Sequence, residues 1–120
     1  MTLERMPRSL LHVEGLAVLV GALAVYFDQG YGWLVLVVLF LAPDLSMLGY
    51  VGGPRLGSLT YDALHTYVGP VALGVGGLLA GSDVALQLAL VWSAHIGFDR
   101  LLGYGLKYPT GFKDTHLQRV

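Results

Sequence analysis

Four stretches of this chain are apolar over the roughly 20 residues that a helix needs to cross a bilayer, and together they use up most of the 120 residues. They run over about 9–27, 33–50, 61–80 and 84–104. With 55% hydrophobic residues and a mean hydropathy of +0.65, a soluble domain of this length would carry more apolar surface than one small core could hide. Long apolar runs without alternation argue for helices rather than barrel strands. The expected fold is therefore all-α: one four-helix transmembrane bundle with a short tail, 105–120.

The basic residues orient it. Arg5 and Arg8 precede the first stretch, Arg55 lies between the second and third, and Arg100, Lys107, Lys113 and Arg119 end or follow the fourth. The connections at 28–32 and 81–83 carry no Lys or Arg. Because basic residues in short loops stay on the cytoplasmic side, both termini and the Arg55 loop are placed there. The first stretch lacks a small-residue cleavage site and reads as a retained helix. A net charge of −1 leaves no basic face for nucleic acid, and the basic tail suits anionic headgroups instead. The absence of cysteine excludes disulfides, thiolate metal sites and iron–sulfur clusters. Any metal must be held by His and carboxylate.

Glycine should set the helix contacts, since small residues let backbones approach closely where lipid offers no hydrophobic drive. Gly77 and Gly81 are spaced i, i+4, and Gly69, Gly74 and Gly76 thin the same stretch. Pro43 leaves the Leu39 carbonyl without its helical donor, so a kink is expected there. Pro70 predicts a milder bend, and Gly52-Gly53-Pro54 a tight turn. Trp92 reads as core. Tyr50, Tyr61, Tyr67, Tyr104 and Tyr108 read as interfacial belt residues on one side, with Trp33 and Tyr31 on the other.

The polar side chains gather at one depth. Asp44 lies about 16 Å along the second helix at 1.5 Å per residue, past the midplane. His95 sits at a similar level in the fourth helix, with Asp99 one turn further in. Asp62 and His65 occupy the first cytoplasmic turns of the third, and His12 and Glu14 the matching level of the first. An ionisable group at membrane depth costs about 2.5–3.5 kcal/mol or more and by default marks function. The pairs His95/Asp99 (i, i+4) and Asp62/His65 (i, i+3) each share a helix face. Each carboxylate could orient its imidazole, or the residues could ligate one ion with Asp44; His and carboxylate together suit zinc, iron or manganese. Plain alternatives exist: interhelical hydrogen bonds among the same groups, an ion pair of Arg100 with Asp99 or Asp44, and snorkelling of His12 and Glu14 toward headgroups.

The runs EGLAVLVGAL, FLAPDLSMLGYVGGPRLG, YDALHTY and AHIGFDRLLGYGLKYPTGFKDTHL resemble the small bacterial and archaeal integral-membrane family known as domain of unknown function 4260. The resemblance covers nearly the whole chain and implies no activity. Its signature segments contain Glu14, Asp44, His65, His95, Asp99, Arg100, Lys107, Asp114 and His116. Asn is the more usual residue where this chain has Asp62, which speaks against a ligand role for it. More distantly, Pro43-Asp44, scattered His65 and His95, and Thr115-His116 are similar to elements of the membrane-bound metal-dependent hydrolases, although the paired His-Arg and Thr-His-Ser strings of those enzymes are absent. That likeness is analogy at fold level.

Three functions follow as expectations. In the first, Asp44, His65, His95 and Asp99 bind a divalent metal that activates water against a lipid-like ester or phosphoester, with Glu14 as general base and Arg100 and Lys107 stabilising phosphate charge. In the second, the same groups relay protons or cations in a carrier or channel. In the third, His65 and His95 are axial haem ligands or hold another small ligand. A bundle this small has little interior, so homo-oligomers in contact with membrane lipid are expected.

Overall fold

The computed structural model describes residues 6–106 and 115–119. It is an all-α, four-helix bundle, with no β-strand among the described residues. The helices are α1 (Met6–Asp28), α2 (Trp33–Leu39), α3 (Pro54–His65), α4 (Val68–Ala80), α5 (Asp83–Leu102) and the short α6 (His116–Arg119); a 3-10 segment, Ala42–Gly52, follows α2. Met6–Asp28, Trp33–Gly52 and Pro54–Ala80 are long and apolar enough to cross a membrane. α5 has the length, 20 residues, but carries Gln87, His95, Asp99 and Arg100, so it is the least apolar of the four.

α5 is the central element. α1 packs antiparallel along one side of it, with His12 donating from Nδ1 to the Leu101 carbonyl at 2.8 Å near one end and Gln87 donating to Tyr26 Oη at 3.1 Å near the other. The crossing is at Gly15 and Gly97: a Cβ on Gly15 would stand 2.7 Å from the Gly97 carbonyl oxygen, and one on Gly97 2.7 Å from that of Gly15. This is the close approach that small residues permit. It falls on glycines that the sequence does not distinguish from the others. α4 packs antiparallel on another side of α5, where Gly69 faces the Trp92 ring, Gly74 faces Ala89 and Gly77 faces Ala85. Gly76 meets nothing within 4 Å, and Gly81 is the left-handed C-cap of α4 (φ 68°), so neither has the packing role expected from its spacing.

The second and third spans are broken rather than continuous. α2 ends at Leu39, and the chain resumes as the 3-10 segment with Pro43 near its start, in keeping with the missing donor for the Leu39 carbonyl. The expected loop of 51–60 is short: Gly53 adopts φ 104°, and Pro54 at once opens α3, the position where proline's missing N–H costs nothing. α3 then ends at His65, Thr66 is extended (φ −94°, ψ 150°), and α4 restarts at Val68. Pro70 lacks the N–H that would have bonded the Thr66 carbonyl in a continuous helix. The 3-10 segment and α3 form a hairpin of their own: Thr60 Oγ1 donates to the Ser46 carbonyl at 2.9 Å, and Gly49 and Gly57 make room for Thr60 and the Tyr50 ring. This hairpin shares no extended interface with α1, α4 or α5. It joins them at its base.

Candidate metal centre

The base of the hairpin brings its first and last polar residues together. Asp44 lies in the first turn of the 3-10 segment and His65 is the last residue of α3; opposite them, one turn apart on α5, stand His95 and Asp99. His65 Nε2 is 3.1 Å from Asp44 Oδ1, 3.2 Å from His95 Nε2 and 3.4 Å from Asp99 Oδ2. His95 Nε2 is 3.2 Å from Asp44 Oδ1 and 3.2 Å from Asp99 Oδ2. Two imidazole nitrogens and two carboxylate oxygens thus surround one point.

Hydrogen bonds alone do not account for five such contacts. Ionised carboxylates bring no protons, and the two Nε2 atoms bring two at most. His65 Nδ1 lies 2.8 Å from the Tyr61 carbonyl, which only an N–H can satisfy, so neutral His65 presents the Nε2 lone pair to the centre. A lone pair facing two carboxylate oxygens is repulsive unless a cation or a shared proton lies between them. Metal-ligating histidines characteristically donate their other ring nitrogen to a carbonyl in this way. For metal–ligand bonds of about 2.0–2.1 Å, the edge of a tetrahedron is about 3.3–3.4 Å, close to the separations found. The four residues could hold a metal ion. The same spacing does not suit axial haem ligation, since trans nitrogens would stand about 4 Å apart across a macrocycle.

Packing holds the ligands in place. The His65 ring stacks on Tyr61 at 3.7 Å between centroids and 6° between planes, and Phe40 meets the His95 ring at 5.5 Å. The side chains of His65 and His95 are 0% and 1% exposed and that of Asp99 11%, whereas that of Asp44 is 35% exposed. The centre opens on the Asp44 side. The break after α3 is stabilised from α5: Trp92 Nε1 donates to the freed Leu64 carbonyl at 2.6 Å, and Arg100 Nη2 to the His65 carbonyl at 2.9 Å. Arg100 Nη1 also reaches the Tyr104 carbonyl at 3.1 Å. The Leu64 and His65 carbonyls released by the broken helix thereby keep partners.

Asp62 is not one of the converging residues, although its i, i+3 spacing shares a face with His65. The bond from His65 Nδ1 back to Tyr61 turns the ring toward the i−4 side. Arg100 is buried and binds carbonyls, with its guanidinium 5.9 Å from the Tyr67 ring centre. Glu14 is exposed on α1; with Arg100, Tyr67 and His116 it lines a separate cavity of about 310 Å³ that contains none of the four ligands. Lys107 and Asp114 lie outside the described residues.

Sequence reasoning attached no role to His116. It closes the tail on itself: its Nδ1 accepts from the Leu106 N–H at 2.7 Å and its own N–H donates to the Leu106 carbonyl at 2.8 Å, while Arg8 Nε on α1 donates to the Leu117 carbonyl at 3.0 Å and ties the tail to the bundle. Burial, and secondarily the Arg100 charge, lower the His116 pKa below the ordinary value. The signal for it in the sequence was only the Thr115-His116 step.

Over residues 8–120 the chain matches the family described as Domain of unknown function (DUF4260). It belongs to that family. No curated protein and no solved structure matches it.

Proposed function

We propose that Asp44, His65, His95 and Asp99 bind one divalent cation, zinc, iron or manganese, and that the protein is a metal-dependent hydrolase of a lipid-like ester or phosphoester. The convergence of four ligand atoms within 4.8 Å of one another carries this reading. Two carboxylates and two neutral imidazoles balance the charge of a divalent ion. A metal of this kind supplies a water of lowered pKa and polarises the ester oxygen. In the reaction, the water oxygen bonds to the carbonyl carbon or phosphorus, the ester C–O or P–O bond breaks, and the water proton passes to the leaving alkoxide. Asp44, the most exposed of the ligands, borders the opening through which water and ester would arrive. Glu14 and Arg100, in their separate cavity, fit recognition of a headgroup better than the proton transfer itself.

The centre is proposed to face the cytoplasmic side of a prokaryotic inner membrane because the Lys and Arg residues fall at the two ends of the chain and between the second and third spans. Oligomerisation is part of the proposal on the ground that so small a bundle leaves many large apolar side chains exposed, Val51 at 91% and Leu79 at 86% among them. Metal-loaded protein should cleave a chromogenic acyl ester or phosphoester, and His95→Ala should lose that cleavage with its helical content intact. Full metal loading with no cleavage of either class would remove the hydrolase and leave the metal centre.

A second reading, cation passage, draws support from the broken second and third spans meeting at the centre, as discontinuous helices do at transporter sites. Metal-ion flux into proteoliposomes is its test. The apolar outer halves of α1 and α4 weigh against it.

A further inference from the structure

Beside the metal centre an apolar groove of about 430 Å³ opens between α2, α4 and α5. Its walls include Ala42, Pro43, Leu64, Leu88, Val91 and Trp92. Pro43 and Leu64 immediately precede the ligands Asp44 and His65, and Val91 lies one turn before His95 on α5. Leu88 lies seven residues before His95, or about 10 Å along the helix axis. The groove therefore starts at the centre and runs away from it, along α5 toward the end that begins at Asp83. Two polar groups in its wall, Trp92 Nε1 and the Leu64 carbonyl, already satisfy each other at 2.6 Å, and the rest of the lining side chains are apolar. Most of the wall residues are half-buried rather than enclosed, so the slot is open at the side of the bundle, where a chain can enter from the bilayer.

We propose that this groove seats a single acyl or prenyl chain of the substrate, lying parallel to α5, so that the ester or phosphoester at the head of that chain rests at Asp44. An occupant apolar along its length and polar at one end is what an apolar slot ending in two carboxylates and two imidazoles would select. Its volume has room for roughly 14 small groups at about 30 Å³ each, the share of a water molecule in the liquid, enough for one chain. The inference rests on the hydrolase reading for the nature of the scissile bond, and on the groove alone for the chain.

Trp92 lies in the wall and reports occupancy. Trp33, the second of the two tryptophans, is 66% exposed and is replaced by Phe to isolate the signal. The experiment titrates detergent-solubilised, metal-loaded Trp33→Phe protein with a lysophosphatidylcholine brominated on its single acyl chain, and measures metal content in parallel. Saturable quenching of Trp92 at about one lipid per chain is expected. Filling the groove with Ala42→Phe, or independently with Leu88→Phe, should weaken that binding at least tenfold while metal content stays unchanged. Quenching that rises linearly without saturation, or that neither folded variant weakens, overturns the proposal even when metal is bound. Saturable, groove-dependent quenching in protein that binds no metal upholds the chain site and overturns the hydrolase reading instead.

Discussion

The Nε2 atoms of His65 and His95, thirty residues apart in the chain, lie 3.2 Å from each other, with Asp44 Oδ1 within 3.2 Å of both. A neutral His65, whose ring N–H bonds the Tyr61 carbonyl, has no second proton to offer these atoms, and a shared cation would satisfy all of them. The same contact joins the base of the 3-10/α3 hairpin to the central helix, so the centre has a structural consequence as well as a chemical one.

Removing the metal should loosen that hairpin before the rest. Metal binding free energy is folding free energy for the segments it joins, and the hairpin has no other extended interface with α1, α4 or α5. Chelation is expected to speed amide exchange over residues 54–65 at least tenfold, with α1 and α5 changed less. Hydrogen exchange with and without chelator checks this.

Arg100 acts on the same joint through backbone. Its guanidinium donates to the carbonyls of His65 and Tyr104, and hydrogen bonds to a charged group contribute about 1.5–3 kcal/mol each. Arg100→Met should destabilise the protein by about 2–4 kcal/mol, and Arg100→Lys by less but measurably, since an ammonium cannot reproduce the planar fork. Thermal unfolding in detergent gives both numbers.

Much of the centre was legible in the chain. The i, i+4 spacing of His95 and Asp99 puts both on one face, the Pro43-Asp44 step marks an interrupted helix, and depth counting brings His65 to the same level. The break at Thr66 was not legible. It depends on Trp92 and Arg100 supplying donors to Leu64 and His65 from α5, 28 and 35 residues away, and no local pattern announces such partners. The choice of Gly15 and Gly97 for the closest crossing is likewise a tertiary matter, since a glycine's neighbours across an interface leave no trace in its own sequence.

That crossing gives a sharp contrast. Gly15→Ala or Gly97→Ala would set a methyl 2.7 Å from a backbone oxygen of the opposite helix, which only separation of α1 and α5 relieves. A loss of about 1–3 kcal/mol is expected, as for overpacking in general. Gly76→Ala, with nothing within 4 Å of the new methyl, should be neutral or stabilising by up to about 1 kcal/mol. Parallel unfolding curves of the three variants decide it.

The docked tail should respond to pH through His116. Its pKa is lowered in the fold, so the unfolded or undocked tail binds the proton more readily and docking weakens as pH falls below about 6.5, the ordinary histidine value. Protonation also converts Nδ1 from acceptor to donor and removes the bond from the Leu106 N–H, worth about 0.5–1.5 kcal/mol. Protection of the Leu106 amide should drop on acidification in the wild type. In His116→Gln, which keeps an acceptor without titrating, it should stay flat with pH.

Elemental analysis of the purified protein addresses the central claim most directly. About one divalent ion per chain is expected in the wild type and in Asp62→Ala, falling below one tenth in His65→Ala and His95→Ala that retain their helical content. Folded wild-type protein without stoichiometric metal after exposure to zinc, iron and manganese, or full metal in both histidine variants, would contradict it.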